Sequence, residues 1–275
     1  MKYTVQAIKY VIRNFIFLFP FVVIPALFFS FSTDEIAIRT VLQQAFSGNI
    51  GDWTFNELFR AVSVLNFSSW QSITAGGLAV VTLIFFACLL TAFLEKHMRV
   101  GKRSCKTLFP KLNDNLLSTT GYVLVLLAIY ELWSLVTVSL LYFVSRMSAV
   151  ILCYVFIGII IVAMLIVLLY FINMIYLWLP CMQITGFKAM EALQYANSLG
   201  APVKWKIVIS QLFFLALAEI GVCLCAWFTF NLLWFTIAST AFYVVLIMVY
   251  AVRMQIVYFD RDNIDRADLK YYYHR

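Results

Sequence analysis

Residues 207–252, IVISQLFFLALAEIGVCLCAWFTFNLLWFTIASTAFYVVLIMVYAV, contain a single charged residue, Glu219. A bilayer core about 30 Å thick is crossed by roughly 20 apolar residues in a helix. As one helix this stretch would be about 70 Å long at 1.5 Å per residue. It must fold back within the membrane, and Asn231, between Trp227 and Trp234, is the natural turn.

The same reading extends outward. Residues 14–33, 61–94, 115–130 and 147–187 carry no charge, and Glu131 interrupts an apolar run that continues to Ser145. The whole chain is 64% hydrophobic and 12% charged, about half the charge fraction of a soluble domain. These features predict an all-α, polytopic integral membrane protein in a single domain. The six spans lie near 14–33, 71–94, 115–144, 149–179, 207–229 and 232–252, with an external insert at 34–70. Residues 1–32 begin like a signal peptide, but the apolar run is long and no A-x-A site follows, so a retained first span is expected, with cleavage at Ser30-Phe31-Ser32 as the alternative.

Orientation follows from the cations. In this topology 17 of the 20 Lys and Arg fall on one side, including Arg253, Arg261, Lys270 and Arg275, while Arg39, Arg60 and Arg146 fall on the other. The positive-inside rule then puts both termini in the cytosol. The net charge of +7 is accounted for by this placement and gives no reason to invoke nucleic acid. Membrane lipids are the expected partners.

The insert contains two sequences of capping-box type, Ser32-Thr33-Asp34-Glu35 and Thr54-Phe55-Asn56-Glu57, each predicting a short helix. The pair reads as a hairpin on the outer membrane surface, with a lid over an outward cavity as the alternative. On the inside, residues 2–13 and 187–199 have the pattern of interfacial helices, and Ser104–Asn115 is a weaker basic, amphipathic match. Gln6-Ala7-Ile8-Lys9-Tyr10 echoes Glu191-Ala192-Leu193-Gln194-Tyr195. Leu127-Ala128-Ile129-Tyr130-Glu131-Leu132 echoes Leu215-Ala216-Leu217-Ala218-Glu219-Ile220. These matches suggest three parallel repeats of one surface helix and a two-span hairpin.

Glu131 and Glu219 are the candidate intramembrane polar site, because a carboxylate in hydrocarbon must face the interior, take up a proton or meet a partner. Asn173, Gln211, Ser134, Thr137 and Tyr130 are the candidate partners. Two readings stand side by side: a proton- or cation-coupling pair in a transport path, and interhelical hydrogen-bond glue. Walker A, GxSxG, HExxH and Rossmann signatures are absent from the sequence, so a non-enzymatic protein without a cofactor or metal is expected. Cys88, Cys153, Cys223 and Cys225 fall in spans, Cys105 and Cys181 in basic segments, and none has zinc spacing.

Residues 186–199, GFKAMEALQYANSL, preceded by Pro180 and followed by a span, resemble bacterial six-span membrane proteins. These are akin to the membrane domain fused to some glycerophosphodiester phosphodiesterases. The resemblance implies a bacterial plasma-membrane protein of poorly defined function, without phosphodiesterase activity because no catalytic barrel accompanies it. The leading expectation is a transport-related or membrane-organising protein that handles a lipid or other amphipathic small molecule. The alternatives are a permease subunit of an ATP-driven exporter, an immunity protein against a membrane-active peptide, and an intramembrane lipid-modifying enzyme. In the exporter reading a cytosolic ATPase would dock on 187–199, with Lys188 and Glu191 as contacts; self-association is the other partner expected.

Overall fold

The computed structural model describes residues 2–65, 69–103, 108–228 and 231–270. Six segments are long and apolar enough to cross a membrane. They are built on α1 (Lys2–Ser32), α4 (Trp70–Val100), α5 (Leu108–Ser145), α6 (Val150–Met174), α9 (Lys204–Phe228) and α10 (Leu232–Arg261). Shorter helices connect them: α2 (Glu35–Phe46), α3 (Phe55–Val62), α7 (Trp178–Pro180), α8 (Ala189–Gly200) and α11 (Ala267–Lys270). One end of the bundle carries α2 and α3; the other carries the described ends of the chain. We call them the hairpin end and the terminal end.

The spans form a ring of neighbours. α1 packs between α4 and α10, α4 meets α5, α5 meets α6, α6 meets α9, and α9 returns to α10. α1 is held between its two neighbours, with Ala7, Leu18, Val22 and Ala26 fully buried. Its Ser30 hydroxyl bonds to Ser239 Oγ of α10 at 2.5 Å. Small side chains of this kind let membrane helices approach closely, and their hydroxyls add interhelical bonds. α9 and α10 meet at Gly221, where a Cβ would lie 2.5 Å from the Phe242 ring.

Several boundaries differ from those expected. The segment 2–13 is not a separate interfacial helix: it is continuous with the first span, and α1 runs unbroken through Pro20 and Pro25. Likewise α5 starts at Leu108 and continues straight into its span. Only α8 is set off from the following span, by the turn at Ala201–Val203, so the surface-helix-plus-hairpin unit is realised in its full form once. At the far end of the chain α10 continues to Arg261, beyond the expected end at 252, because Met254, Ile256, Val257, Tyr258 and Phe259 are all buried and keep the helix packed. Cys105, Lys106, His274 and Arg275 lie outside the described residues.

Local signals act as their chemistry requires. Thr54 and Glu57 form a reciprocal capping box at α3. At α2 the cap is Asp34, which accepts from Ala37 N–H at 3.0 Å, in place of the expected Ser32. Asn231 caps α10 by accepting from Leu233 N–H at 2.9 Å, so the turn between the last two spans falls where the sequence put it. Gly101, at φ 75°, stops α4 and leaves room for the carbonyl oxygen of Ala267, 3.5 Å from where its Cβ would sit.

Candidate functional site

The insert between α1 and α4 is a bridge. α2 packs on α9 and α3 packs on α5, two spans that scarcely touch each other. Arg39 of α2 donates to the carbonyl of Ala226 in α9 at 3.0 Å and pairs with Glu35. Arg146, just beyond α5, donates to the carbonyls of Gly51 and Trp53 at 2.8 and 3.1 Å. Arg60 holds Asp34 through Nε and Nη2 at 2.9 and 2.6 Å. The three cations of the hairpin end thus bind within the protein. The insert lies across the end of the bundle from α9 to α5, which matches the lid reading better than a hairpin resting on the membrane.

Glu131 belongs to this bridge. Its carboxylate accepts from Ser63 Oγ at 2.7 Å and from the backbone N–H groups of Val64 and Leu65 at 3.1 and 3.0 Å. Ser134, one of the expected partners, adds a longer contact at 3.4 Å, and the neighbouring Tyr130 hydroxyl donates to the Val62 carbonyl at 2.8 Å. A carboxylate that collects several donors is well satisfied. Its role here is to fasten the end of the insert into the spans.

Glu219 is placed differently. No hydrogen bond or ion pair is formed by it among the described residues, and its side chain is exposed. The exposed apolar stripe of α9 runs through Ile209, Phe213, Leu217, Ile220, Leu224 and Phe228. At 100° per residue Glu219 stands about 120° around the helix from that stripe. It faces the α5 side, where the Tyr130 phenol lies within electrostatic range of both Glu219 and Glu131. Tyr243 of α10, bonded to Thr33 Oγ1 at 2.8 Å, is within range of Glu219 as well.

Over the hairpin half α6 and α9 share no hydrogen bond among the described residues and α6 is little buried; we call this the open side. α6 and α9 are joined near their terminal ends, where Asn173 Nδ2 donates to the Lys204 carbonyl at 3.2 Å and Lys204 Nζ sits 3.8 Å above the Tyr170 ring. From Val150 to Val162, α6 buries only Cys153. Asn173 is therefore part of this terminal joint, and no hydrogen bond joins it to either acid among the described residues.

Two helical turns from Glu219 toward the terminal end is a second polar centre that the sequence reading did not find. Arg253 of α10 is 2% exposed. Its Nε donates to Tyr176 Oη at 3.0 Å and Nη1 makes a 3.5 Å contact with Ser210 Oγ. No carboxylate pairs with it among the described residues. Tyr176 stacks edge-on to Tyr250 at 5.3 Å, and Tyr250 shares a 2.6 Å bond with Tyr122 of α5. Gln211 is 4% exposed and lies beside Tyr176 within reach of its hydroxyl. Arg253 had been assigned to a cytosolic segment because the apolar run ends at Val252. The buried pattern of 254–259 is the signal that the helix, and the protein around it, continues.

The four candidate residues of the sequence reading thus separate. Glu131 fastens the insert, Asn173 joins α6 to α9, Glu219 faces the open side, and Gln211 lies beside Arg253. The proposed docking residues Lys188 and Glu191 are both exposed at the start of α8, next to exposed Phe187 and Met190. Compared with family models, curated proteins and solved structures, the chain matches none.

Proposed function

We propose that this is a non-enzymatic plasma-membrane protein that takes a lipid or another amphipathic small molecule into the open side between α6 and α9. The observation that carries the reading is Glu219: an exposed carboxylate in a span, turned away from the lipid-facing stripe and without a hydrogen bond or ion pair among the described residues. Acids in this position are expensive and tend to be retained for use. Arg253 and the buried Gln211 supply a second polar station about 12 Å further along, at 1.5 Å per residue of α9. An amphipath lying in the opening would present its polar group to these stations and its chains to the bilayer. We place the terminal end in the cytosol of a bacterial cell, on the strength of the cations there and the likeness of residues 186–199 to the six-span proteins.

The test is native mass spectrometry of the full chain, gently extracted from its own membranes. The wild type should retain one amphipathic small molecule per chain, and Glu219→Gln and Arg253→Gln should each reduce its occupancy. Equal occupancy in all three proteins would sink the proposal.

A second reading is favoured by α8. Phe187, Lys188, Met190 and Glu191 form an exposed, mixed apolar and charged patch, suited to a cytosolic partner such as an ATPase subunit. A protein subunit in fixed ratio in the same spectra, lost on Lys188→Glu, would support it.

A further inference from the structure

At the terminal end a cavity of about 130 Å³ opens between α1, the end of α4 and α11, lined in part by Lys9, Arg13, Asn14, His97, Arg266 and Asp268. It is separate from the opening between α6 and α9 and does not depend on the reading given to that opening. Three permanent cations meet one acid. That acid is already engaged, since Asp268 accepts from Arg266 at 2.8 and 3.2 Å. His97 is buried and hydrogen-bonded through Nδ1 to the Tyr10 hydroxyl. Asn14 is 2% exposed; its amide N–H donates to the Tyr10 carbonyl at 2.9 Å, while Oδ1 is buried with no partner. A buried acceptor left open at the wall of a basic cavity calls for a ligand that brings a donor as well as negative charge.

The helix face that carries the cations says where such a ligand lies. Lys9 and Arg13 are one turn apart, and Ile12 and Ile16, 71% and 81% exposed, follow on the same side at helical spacing. A charged rim passing directly into an exposed apolar stripe matches the order of a phospholipid, headgroup first and acyl chain after. We infer that this cavity binds the phosphate of a lipid in the leaflet at the terminal end, and selects a headgroup with a hydroxyl or amino donor for Asn14.

The experiment titrates the purified full chain in neutral detergent with phosphatidylglycerol, phosphatidic acid, phosphatidylcholine and glycerol 3-phosphate, reading bound copies by native mass spectrometry. Phosphatidylglycerol should bind best. Lys9→Gln with Arg13→Gln should weaken it roughly 30-fold, from about 1 kcal/mol per cation near the surface. Asn14→Ala should narrow the preference for phosphatidylglycerol over phosphatidic acid while leaving phosphate binding in place, a change that general unfolding would not produce. Lys206→Gln, an exposed cation of α9 outside the cavity lining, is the control and should bind as the wild type does. Equal binding of phosphatidylcholine, or an unaltered titration in the double variant, would overturn the site. Glycerol 3-phosphate binding as tightly as the lipid would transfer the site to a soluble phosphate ester and overturn the lipid assignment.

Discussion

The carboxylate of Glu131 in α5 accepts a hydrogen bond from the backbone N–H of Leu65, at the end of the insert between α1 and α4, at 3.0 Å. An acid that in sequence looks like half of a transport pair is thereby a fastening between a span and a loop.

Glu131→Ala should loosen that fastening. Two backbone donors and the Ser63 hydroxyl lose their acceptor, at a cost of about 3 kcal/mol for charge-assisted bonds. The expected result is a lower unfolding midpoint in detergent and new protease cleavage near residues 63–65. A variant as stable and as resistant as the wild type would mean that the insert is held by α2 and α3 alone.

Glu219 predicts the opposite sign. With no partner to lose, Glu219→Leu removes an unsatisfied carboxylate and should stabilise the detergent-solubilised protein by about 1–3 kcal/mol, while abolishing whatever the open side binds. Such an exchange of function for stability is the usual mark of a working residue. Destabilisation on this substitution would show that the acid has a structural partner after all.

Arg253 and Tyr176 should behave as a coupled pair. Either Arg253→Met or Tyr176→Phe alone removes a hydrogen bond from a buried centre. In a double-mutant cycle on thermal or denaturant unfolding the two should show a coupling of about 1–2 kcal/mol. Simple additivity would mean that the guanidinium is held by other groups.

Gly221 marks the tightest approach of α9 to α10. Gly221→Ala drives a methyl into the Phe242 ring and should cost about 1–3 kcal/mol by overpacking. Adding Phe242→Leu should recover most of the loss; a second loss on top of the first would locate the strain elsewhere.

The fold was largely legible because its determinants are local. Uncharged runs give the spans, Thr54-Phe55-Asn56-Glu57 gives α3, and Asn231 gives the last turn. The site was legible only as a set of residue types. Glu131 and Glu219 occupy similar positions in similar sequences, Leu127–Leu132 and Leu215–Ile220, yet one meets the amides of Val64 and Leu65 and the other meets none. That difference is made by a loop some 66 residues upstream of Glu131, which no pattern in either span encodes. Arg253 was missed for a related reason. A charge at the end of an apolar run looks like a water-facing boundary until the packing of residues 254–259 against α1 and α4 is known.

The two ends of the bundle are strapped in the same manner. The insert joins α5 to α9 at one end, while Gln183 to Thr119 at 2.9 Å and Tyr195 to Asp262 at 2.5 Å bind the segment between α6 and α9 to α5 and the end of α10 at the other. A visitor to Glu219 then has to arrive sideways, already dissolved among the acyl chains. For such a visitor dilution in water is irrelevant: on the function proposed here, what sets occupancy is its mole fraction in the surrounding leaflet, and enriching or depleting the membrane, with the aqueous phase unchanged, would change it.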